Sequence, residues 1–226
     1  MRSLSPIILT LLAAFFGALS GCSEPENEYL DEFMQLPASY RHQPGAIIGQ
    51  SLESKREDAA EYQATRARLV TKYAWAVPNQ QAIETLKRHS PNGLVDFGAG
   101  SGYWAKLLSE AGVNVVAIDN WTDKKPDLWF PVTQGSHELL PETHHRTLLL
   151  CWPPHASEMA RRAVQMWGGN TMAYVGEPGA RGNADPSFFQ ELQQRWVLKE
   201  TVEIPRWFNR TDQLFIYQRK YTHNYF

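Results

Sequence analysis

The sequence predicts an α/β fold of the three-layer sandwich type, in which helices cover both faces of a mostly parallel seven-stranded sheet. Apolar segments suited to buried strands alternate along the chain with segments that carry apolar residues at helical spacing. A glycine-rich turn joins the first predicted strand to the helix after it. The last two predicted strands follow one another directly, and their short connection favours antiparallel pairing of the last strand.

Two helices are predicted before the first strand. Residues 58–73 carry three alanines and Val70 at roughly helical spacing, and Pro78 with Asn79 begins a second helix over 80–88. An extended aromatic segment, 73–79, lies between them. Residues 33–60 contain prolines, glycines and mixed charges and are predicted to form a linker, or alternatively a cap over the site.

The remaining elements alternate regularly. The continuous apolar run 147–152 is typical of a central parallel strand that is covered on both faces. The other strands are predicted at 94–97, 113–119, 129–132, 171–175, 197–204 and 213–219. Helices are predicted after the glycine turn, over 157–167, and from 185 or 186 onward through two phenylalanines.

The glycine-rich turn is the segment that points to a ligand. Gly98, Gly100 and Gly102 follow the acid Asp96, and Asp119 closes the next strand. Glycines let a backbone approach a ligand closely, and the helix N-terminus behind them offers unpaired N–H groups. An acid at the end of the second strand can accept both hydroxyls of a ribose. The segment therefore predicts a nucleotide-containing ligand.

The spacing of these residues resembles motif I of the class I S-adenosylmethionine-dependent methyltransferases, which is acid-x-Gly-x-Gly-x-Gly. That resemblance covers about residues 62–220 and implies a Rossmann-like fold with an antiparallel last strand and S-adenosyl-L-methionine as cofactor. It implies a loop that lies along the methionine part of the cofactor and an acid that binds the ribose. The cofactor-binding residues that we expect are Asp96, Gly98, Ala99, Gly100, Gly102, Tyr103, Trp104, Asp119, Asn120 and Trp152.

Two other interpretations of the turn are open. A glycine-rich turn can simply let a strand meet a helix. An NAD(P)-dependent oxidoreductase is the second alternative, but its G-x-G-x-x-G motif needs a third glycine where this chain has Tyr103.

A wider pattern resembles a little-characterised set of methyltransferase-like proteins. It comprises Trp-Ala-x-Pro at 75–78, Gly-x-Gly-x-Gly-Tyr-Trp-Ala at 98–105 and Leu-Cys-Trp-Pro-Pro at 150–154. The resemblance implies the fold and the cofactor class, but no substrate. Amino-methylating relatives carry Asn/Asp-Pro-Pro-Tyr at 152–155, whereas this chain has Trp152 and His155 at the two ends of that motif. N-methylation therefore does not follow.

Methyl transfer is a direct displacement that needs alignment of the acceptor and removal of its proton. His155 is the first candidate for the base, and Glu177 is a candidate for orienting a polar acceptor. Alternatively, His155 is a surface histidine and Glu177 caps a loop. The residues expected to line an acceptor pocket are Pro153, Pro154, Trp75 and Trp207, although aromatic residues more often belong to the core. No metal is expected, because His137, His144 and His145 lack acidic or cysteine companions at ligand spacing.

The first residues of the chain differ in character from the predicted folded domain. Arg2, the uncharged apolar run 7–19 and the small residues before Cys22 resemble a bacterial lipoprotein signal over 1–21, which implies a lipid on Cys22 and membrane attachment. The acidic stretch 23–32 then suits a solvated tether, with 22–60 as tether or linker and 61–220 as the folded domain before a short tail, 221–226. Alternatively, translation begins inside the reading frame, for example at Met34, and the protein is cytoplasmic.

These two predictions conflict, because S-adenosylmethionine is made and kept in the cytoplasm. An uncleaved anchor with the domain inside, a mistaken start and an exported fold without catalysis all remain open. The last alternative is a membrane-anchored lipoprotein that keeps the fold as a binding module.

The charge composition limits the classes of molecule that are expected as the methyl acceptor. The 22 basic and 24 acidic residues form no basic stripe, which disfavours a nucleic-acid substrate. The acceptor is therefore expected to be a small molecule, a lipid-like molecule or a protein group. The sequence leaves the oligomeric state open. Cys151 lies in an apolar strand and is expected to be a small buried residue.

Overall fold

The computed structural model describes residues 25–42, 56–121, 127–179 and 183–220, with the backbone alone at 56 and 57. The predicted signal over 1–21, the lipidation site Cys22 and the tail 221–226 lie outside the described residues. Among the described residues, no helix combines the length and the apolar character that a membrane crossing requires.

Seven strands form one sheet in the order β3-β2-β1-β4-β5-β7-β6. The strands are β1 (Leu94–Phe97), β2 (Val115–Asp119), β3 (Val132–Gln134), β4 (Thr147–Cys151), β5 (Thr171–Gly176), β6 (Trp196–Glu203) and β7 (Gln213–Arg219). Neighbours from β3 to β5 pair in parallel, whereas β7 lies antiparallel between β5 and β6. The predicted fold class, a mostly parallel Rossmann-like sheet with an antiparallel last strand, is confirmed.

Helices cover both faces of this sheet. They are α1 (Glu28–Gln35), α2 (Arg56–Lys72), α3 (Gln80–Arg88), α4 (Tyr103–Glu110), α5 (Met159–Trp167) and α6 (Pro186–Arg195), with short 3-10 turns at Ala38–Tyr40, His137–Leu139 and Pro141–Thr143. Successive side chains of β4 supply opposite faces, because Leu149 joins the cluster with α1 to α4 while Leu148 and Leu150 join the cluster with α5 and α6. The sheet is therefore the middle of three layers.

The third strand begins later than predicted, at Val132 and not at residue 129. Trp129 instead stacks on Tyr73 with ring centroids 5.3 Å apart, and its Nε1 donates to the Lys72 carbonyl over 2.6 Å. The aromatic residue that suggested a strand therefore leaves the sheet and packs against the end of α2.

The largest difference from the prediction is α1, which lies where a solvated tether was expected. Asn27 caps this helix by accepting from the Leu30 N–H, and Tyr29 and Phe33 are fully buried. Trp207 Nε1 donates to the Tyr29 hydroxyl over 3.2 Å. The acids of α1 lie on its more exposed side, where Glu32 pairs with basic residues of α2. The helix is therefore part of the folded unit.

Candidate functional site

The glycine turn follows β1 with three residues at positive φ. The φ angles are +80° at Gly98, +57° at Gly100 and +77° at Gly102, a region that side chains other than glycine rarely adopt. A Cβ on Gly98 would lie 2.6 Å from the Met159 side chain, and one on Gly102 would lie 3.0 Å from Phe130. A Cβ on Gly100 would meet nothing within 4 Å. At Gly98 and Gly102 a side chain would not fit against the neighbouring residues, whereas Gly100 faces open space.

The segment after α2 is bound to this turn. The Ser101 hydroxyl donates to the Tyr73 carbonyl, and Trp104 Nε1 donates to the Ala76 carbonyl over 3.2 Å. A cavity of about 230 Å³ lies between the turn and residues 70–75. Its lining includes Trp75, Asp96, Gly98, Ala99, Gly100, Ser101, Trp104 and Cys151. Five of the predicted cofactor residues and one predicted acceptor residue thus meet at one cavity.

Asp96 is the most unusual group in this cavity. Its side chain is 1% exposed, and its Oδ1 has no hydrogen-bond partner among the described residues. Burial, followed by the charge of Asp119, raises the pKa of Asp96 to about 7. A buried polar atom without a partner is costly and suggests that a ligand supplies one. Near neutral pH this carboxyl can donate to a ligand or, when ionised, accept from an ammonium group.

Asp119 closes β2, as predicted, and ties the turn to the strand end. Its Oδ2 accepts from the Gly100 N–H over 2.8 Å and its Oδ1 from the Trp121 N–H over 2.9 Å. The Trp121 indole also donates to the Gly100 carbonyl over 3.2 Å. A carboxylate has about four acceptor sites, so each oxygen of Asp119 keeps the capacity for a further donor. Asn120, the next residue, is exposed.

A second group of side chains lies after β4. Trp152 has a φ of +51°, which is unusual for a large side chain, and its Nε1 donates to Asp212 Oδ1 over 2.8 Å. Its ring stacks on Trp75 with centroids 5.2 Å apart and planes inclined by 10°. Burial and the charge of Glu177 raise the pKa of Asp212 to about 7. This hydrogen bond fixes the Trp152 indole against Trp75, which lines the cavity.

The other predicted site residues fall in three environments. Pro153 is buried, whereas Pro154 and His155 are exposed in the turn after β4. Glu177 accepts from Arg210 Nη1 and from the Thr211 N–H, each over 3.0 Å, so its carboxylate is engaged within the protein.

Two predicted aromatic residues belong to the core. Trp207 is 1% exposed and packs edge-on against Phe33, with centroids 4.9 Å apart. Tyr103 is fully buried, and its hydroxyl accepts from the Tyr29 N–H over 3.0 Å. The structure thus places neither side chain beside the cavity, because both are used to hold α1.

Three residues of this region were not identified from the sequence as site residues. Arg66 and Asp212 lie around Trp152, and Cys151 lines the cavity. Burial, followed by the charge of Asp96, raises the pKa of the Cys151 thiol. The residue is half-buried and faces the cavity, so it is less enclosed than the buried residue that was expected. Arg66 is one charge among many on a polar helix, so no sequence signal distinguishes it. Across the described ranges, no three histidine, cysteine or acidic side chains are grouped as metal ligands.

No protein-family model and no curated protein sequence matches this chain. Several solved structures are similar to it. The tRNA (uracil-54, C5)-methyltransferase of Pyrococcus abyssi, in complex with S-adenosyl-L-homocysteine, is 14% identical with a TM-score of 0.40, over 61% of this chain and 37% of that one. The chain thus spans well under half the length of that enzyme.

Two further similar structures are more fully covered. The Burkholderia thailandensis 1,6-didemethyltoxoflavin-N1-methyltransferase, with S-adenosylhomocysteine bound, is 13% identical with a TM-score of 0.48, over 80% of this chain and 100% of that one. A glycopeptide N-methyltransferase complexed with the same molecule is 11% identical with a TM-score of 0.43, over 62% and 89%. Because these identities and scores are low, the fold assignment rests on the strand order itself.

Proposed function

We propose that this protein transfers a methyl group from S-adenosyl-L-methionine to an acceptor. One observation carries the proposal: Gly100 faces a cavity in which the buried carboxyl of Asp96 has an oxygen without a partner. The open space at Gly100 coincides with this cavity, which suits a ligand that approaches the backbone closely. The motif that Asp96 and the three glycines form resembles that of class I methyltransferases, and the strand order suits the same fold.

The residues present fit this cofactor. Asp96 would accept from the amino group of the methionine part, and the Gly100 backbone would allow close approach. Asp119 would accept from ribose hydroxyls with the acceptor sites that its two backbone contacts leave over. The cavity of about 230 Å³ is smaller than a typical small-ligand site of about 300–1,000 Å³. It would therefore take only part of the cofactor, and Asp119 would hold the ribose outside it.

The bound cofactor supplies an electrophilic methyl group, and the protein aligns the acceptor and removes its proton. Trp75 borders the cavity and stacks on Trp152. These two indoles, together with Pro153 and Pro154, would line the pocket for the acceptor. His155, in the exposed turn, is the proposed base. The acceptor is a small molecule, a lipid-like molecule or a protein group, and nucleic acid is not proposed.

We propose membrane attachment through a lipid on Cys22, as the N-terminal sequence suggests. The cytoplasmic alternative, with translation beginning at Met34, would remove Tyr29 and Phe33 from the core. The packing of α1 therefore supports a start upstream of this helix. Mass spectrometry of the native N-terminus tests this. A diacylglyceryl-modified Cys22 supports attachment, but because it implies export away from the cytoplasmic methyl donor, it favours the non-catalytic binding module. An N-terminus at Met34 contradicts attachment.

Isothermal titration with S-adenosylmethionine and S-adenosylhomocysteine tests the cofactor. Gly100 and Gly112 form a matched pair, because both have positive φ and a Cβ on either would meet nothing within 4 Å. Alanine at either position should impose similar backbone strain of about 1–2 kcal/mol. Only Gly100→Ala would place a methyl group in the cavity, so it should weaken binding at least tenfold while Gly112→Ala binds normally.

Asp119→Ala should also weaken binding at least tenfold, provided that circular dichroism shows a folded protein. Equal binding by the Gly100 and Gly112 variants would contradict the proposed position of the cofactor. Absence of binding by the folded unmodified chain would contradict the proposed function and favour the non-catalytic binding module.

A further inference from the structure

The guanidinium of Arg66 lies beside the two stacked indoles. Its Cζ is 5.4 Å from the Trp75 ring centroid and 5.6 Å from that of Trp152, while the two centroids are 5.2 Å apart. Three nearly equal distances place the charge alongside the pair and not between the rings. Trp75 is 49% exposed despite this stacking, so part of its ring remains open to a ligand. The result is an aromatic surface with a cation close to both rings.

The charge of Arg66 has no anionic partner among the described side chains. Its Nε and Nη2 are buried, and their N–H groups donate to no acceptor in the described part of the chain. The neighbouring Arg210 is also close to Trp152, at 5.5 Å, but it is paired with Glu177 over 3.0 Å. Buried N–H groups of a cation are costly when they bind nothing, and the faces of aromatic rings offset only part of that cost.

Asp212 is the acidic residue whose charge influences Arg66, but its carboxyl is hydrogen-bonded to another side chain. Its Oδ1 accepts from Trp152 Nε1 over 2.8 Å, and its side chain is 1% exposed. Because burial and the charge of Glu177 raise the pKa of Asp212 to about 7, this carboxyl is only partly ionised near neutral pH. The region around Trp75 thus has aromatic surface and a positive charge that is only partly compensated.

We propose that Arg66, Trp75 and Trp152 form a binding site for a planar small molecule that carries a carboxylate. The guanidinium presents a planar set of donors that suits a carboxylate, and the indoles suit a flat ring. The ligand's anion would supply the partner that the buried nitrogens lack, after a small displacement of the exposed Trp75. Because Trp75 also lines the cavity beneath the glycine turn, a molecule bound here lies next to it.

The role of this carboxylate-bearing molecule as the methyl acceptor rests on the proposed function. Binding itself can be measured separately with benzoate and benzamide, which have nearly the same shape and differ in charge. Titration calorimetry uses the full chain at about pH 6, where benzoate is ionised and Asp212 retains its proton. We expect benzoate to bind at least tenfold more tightly than benzamide, which corresponds to about 1.4 kcal/mol.

Arg66→Gln should abolish that preference and leave the affinity for benzamide nearly unchanged. Arg162→Gln removes a positive charge from an exposed position of α5 and should retain the preference. Trp75→Ala should weaken both probes, because it removes the shared aromatic surface. Circular dichroism shows whether each variant is folded.

Equal affinities for benzoate and benzamide would overturn the inference, as would an Arg66→Gln protein that keeps the preference. Binding of S-adenosylhomocysteine without any benzoate preference would overturn this site and leave the proposed function intact. A preference that depends on Arg66, in a protein that does not bind S-adenosylhomocysteine, would support the carboxylate site and contradict methyl transfer.

Discussion

Replacement of Phe33 by alanine tests whether α1 is part of the folded unit. Phe33 is 1% exposed and packs edge-on against the buried Trp207. Removal of a fully buried phenylalanine costs about 3–5 kcal/mol in the free energy of unfolding, because transfer and cavity effects add. For a domain of this size, about 2–4 °C is lost per kcal/mol, so the melting temperature should fall by roughly 6–20 °C.

Met34 provides the matched control, because it is the next residue of the same helix and is 53% exposed. Met34→Ala should change the free energy of unfolding by less than about 0.5 kcal/mol. Urea unfolding followed by tryptophan fluorescence, together with calorimetry, compares the two variants. If Phe33→Ala unfolds at the same urea concentration as Met34→Ala, α1 does not contribute to the core and the reasoning is wrong.

Three further predictions concern the site and its supports. Gly102→Ala should destabilise the protein by about 1–3 kcal/mol more than Gly112→Ala. Both glycines have positive φ, but only at Gly102 would a Cβ press on Phe130. Chemical denaturation measures the two losses of stability, and equal losses would contradict the prediction. Since burial raises the pKa of Asp96 from 3.8 to about 7, the folded state binds the extra proton and its stability falls as pH rises between those values. Asp96→Asn should remove a loss of roughly 2–3 kcal/mol between pH 5 and 8, which urea midpoints at the two pH values would show, and an unchanged slope would contradict the assignment. Glu177→Ala should cost about 1–3 kcal/mol, because the N–H groups that it accepts from lose their partner; a stability equal to that of the unmodified protein, with activity lost, would instead favour its predicted role in orienting the acceptor.

The layers of the fold could be predicted because their signals are local. The continuous apolar run of β4 identified a strand covered on both faces, and the absence of a helix between β6 and β7 identified an antiparallel pair. The glycine turn and Asp119 were located for the same reason, since backbone approach and strand ends are marked by residue type.

The packing of α1 and the roles of the tryptophans could not be predicted, because they depend on contacts between residues that are distant in sequence. Tyr29 and Phe33 are only two apolar residues among acids, and their partners Tyr103 and Trp207 follow much later. An aromatic residue near a candidate site looks the same in sequence whether it faces a ligand or supports a helix. Trp75 lines the cavity and Trp207 lies in the core, although both were predicted to bind the acceptor.

The hydrogen bond between Trp207 and Tyr29 also constrains the order in which the chain completes its folding. The two residues are 178 positions apart. At ribosomal rates of about 5–20 residues per second, roughly 10–35 s separate their synthesis. During that interval the aromatic side of α1 has no Trp207 to cover it and is accessible to chaperones. The first helix of the described residues is thus among the last elements to reach its final packing.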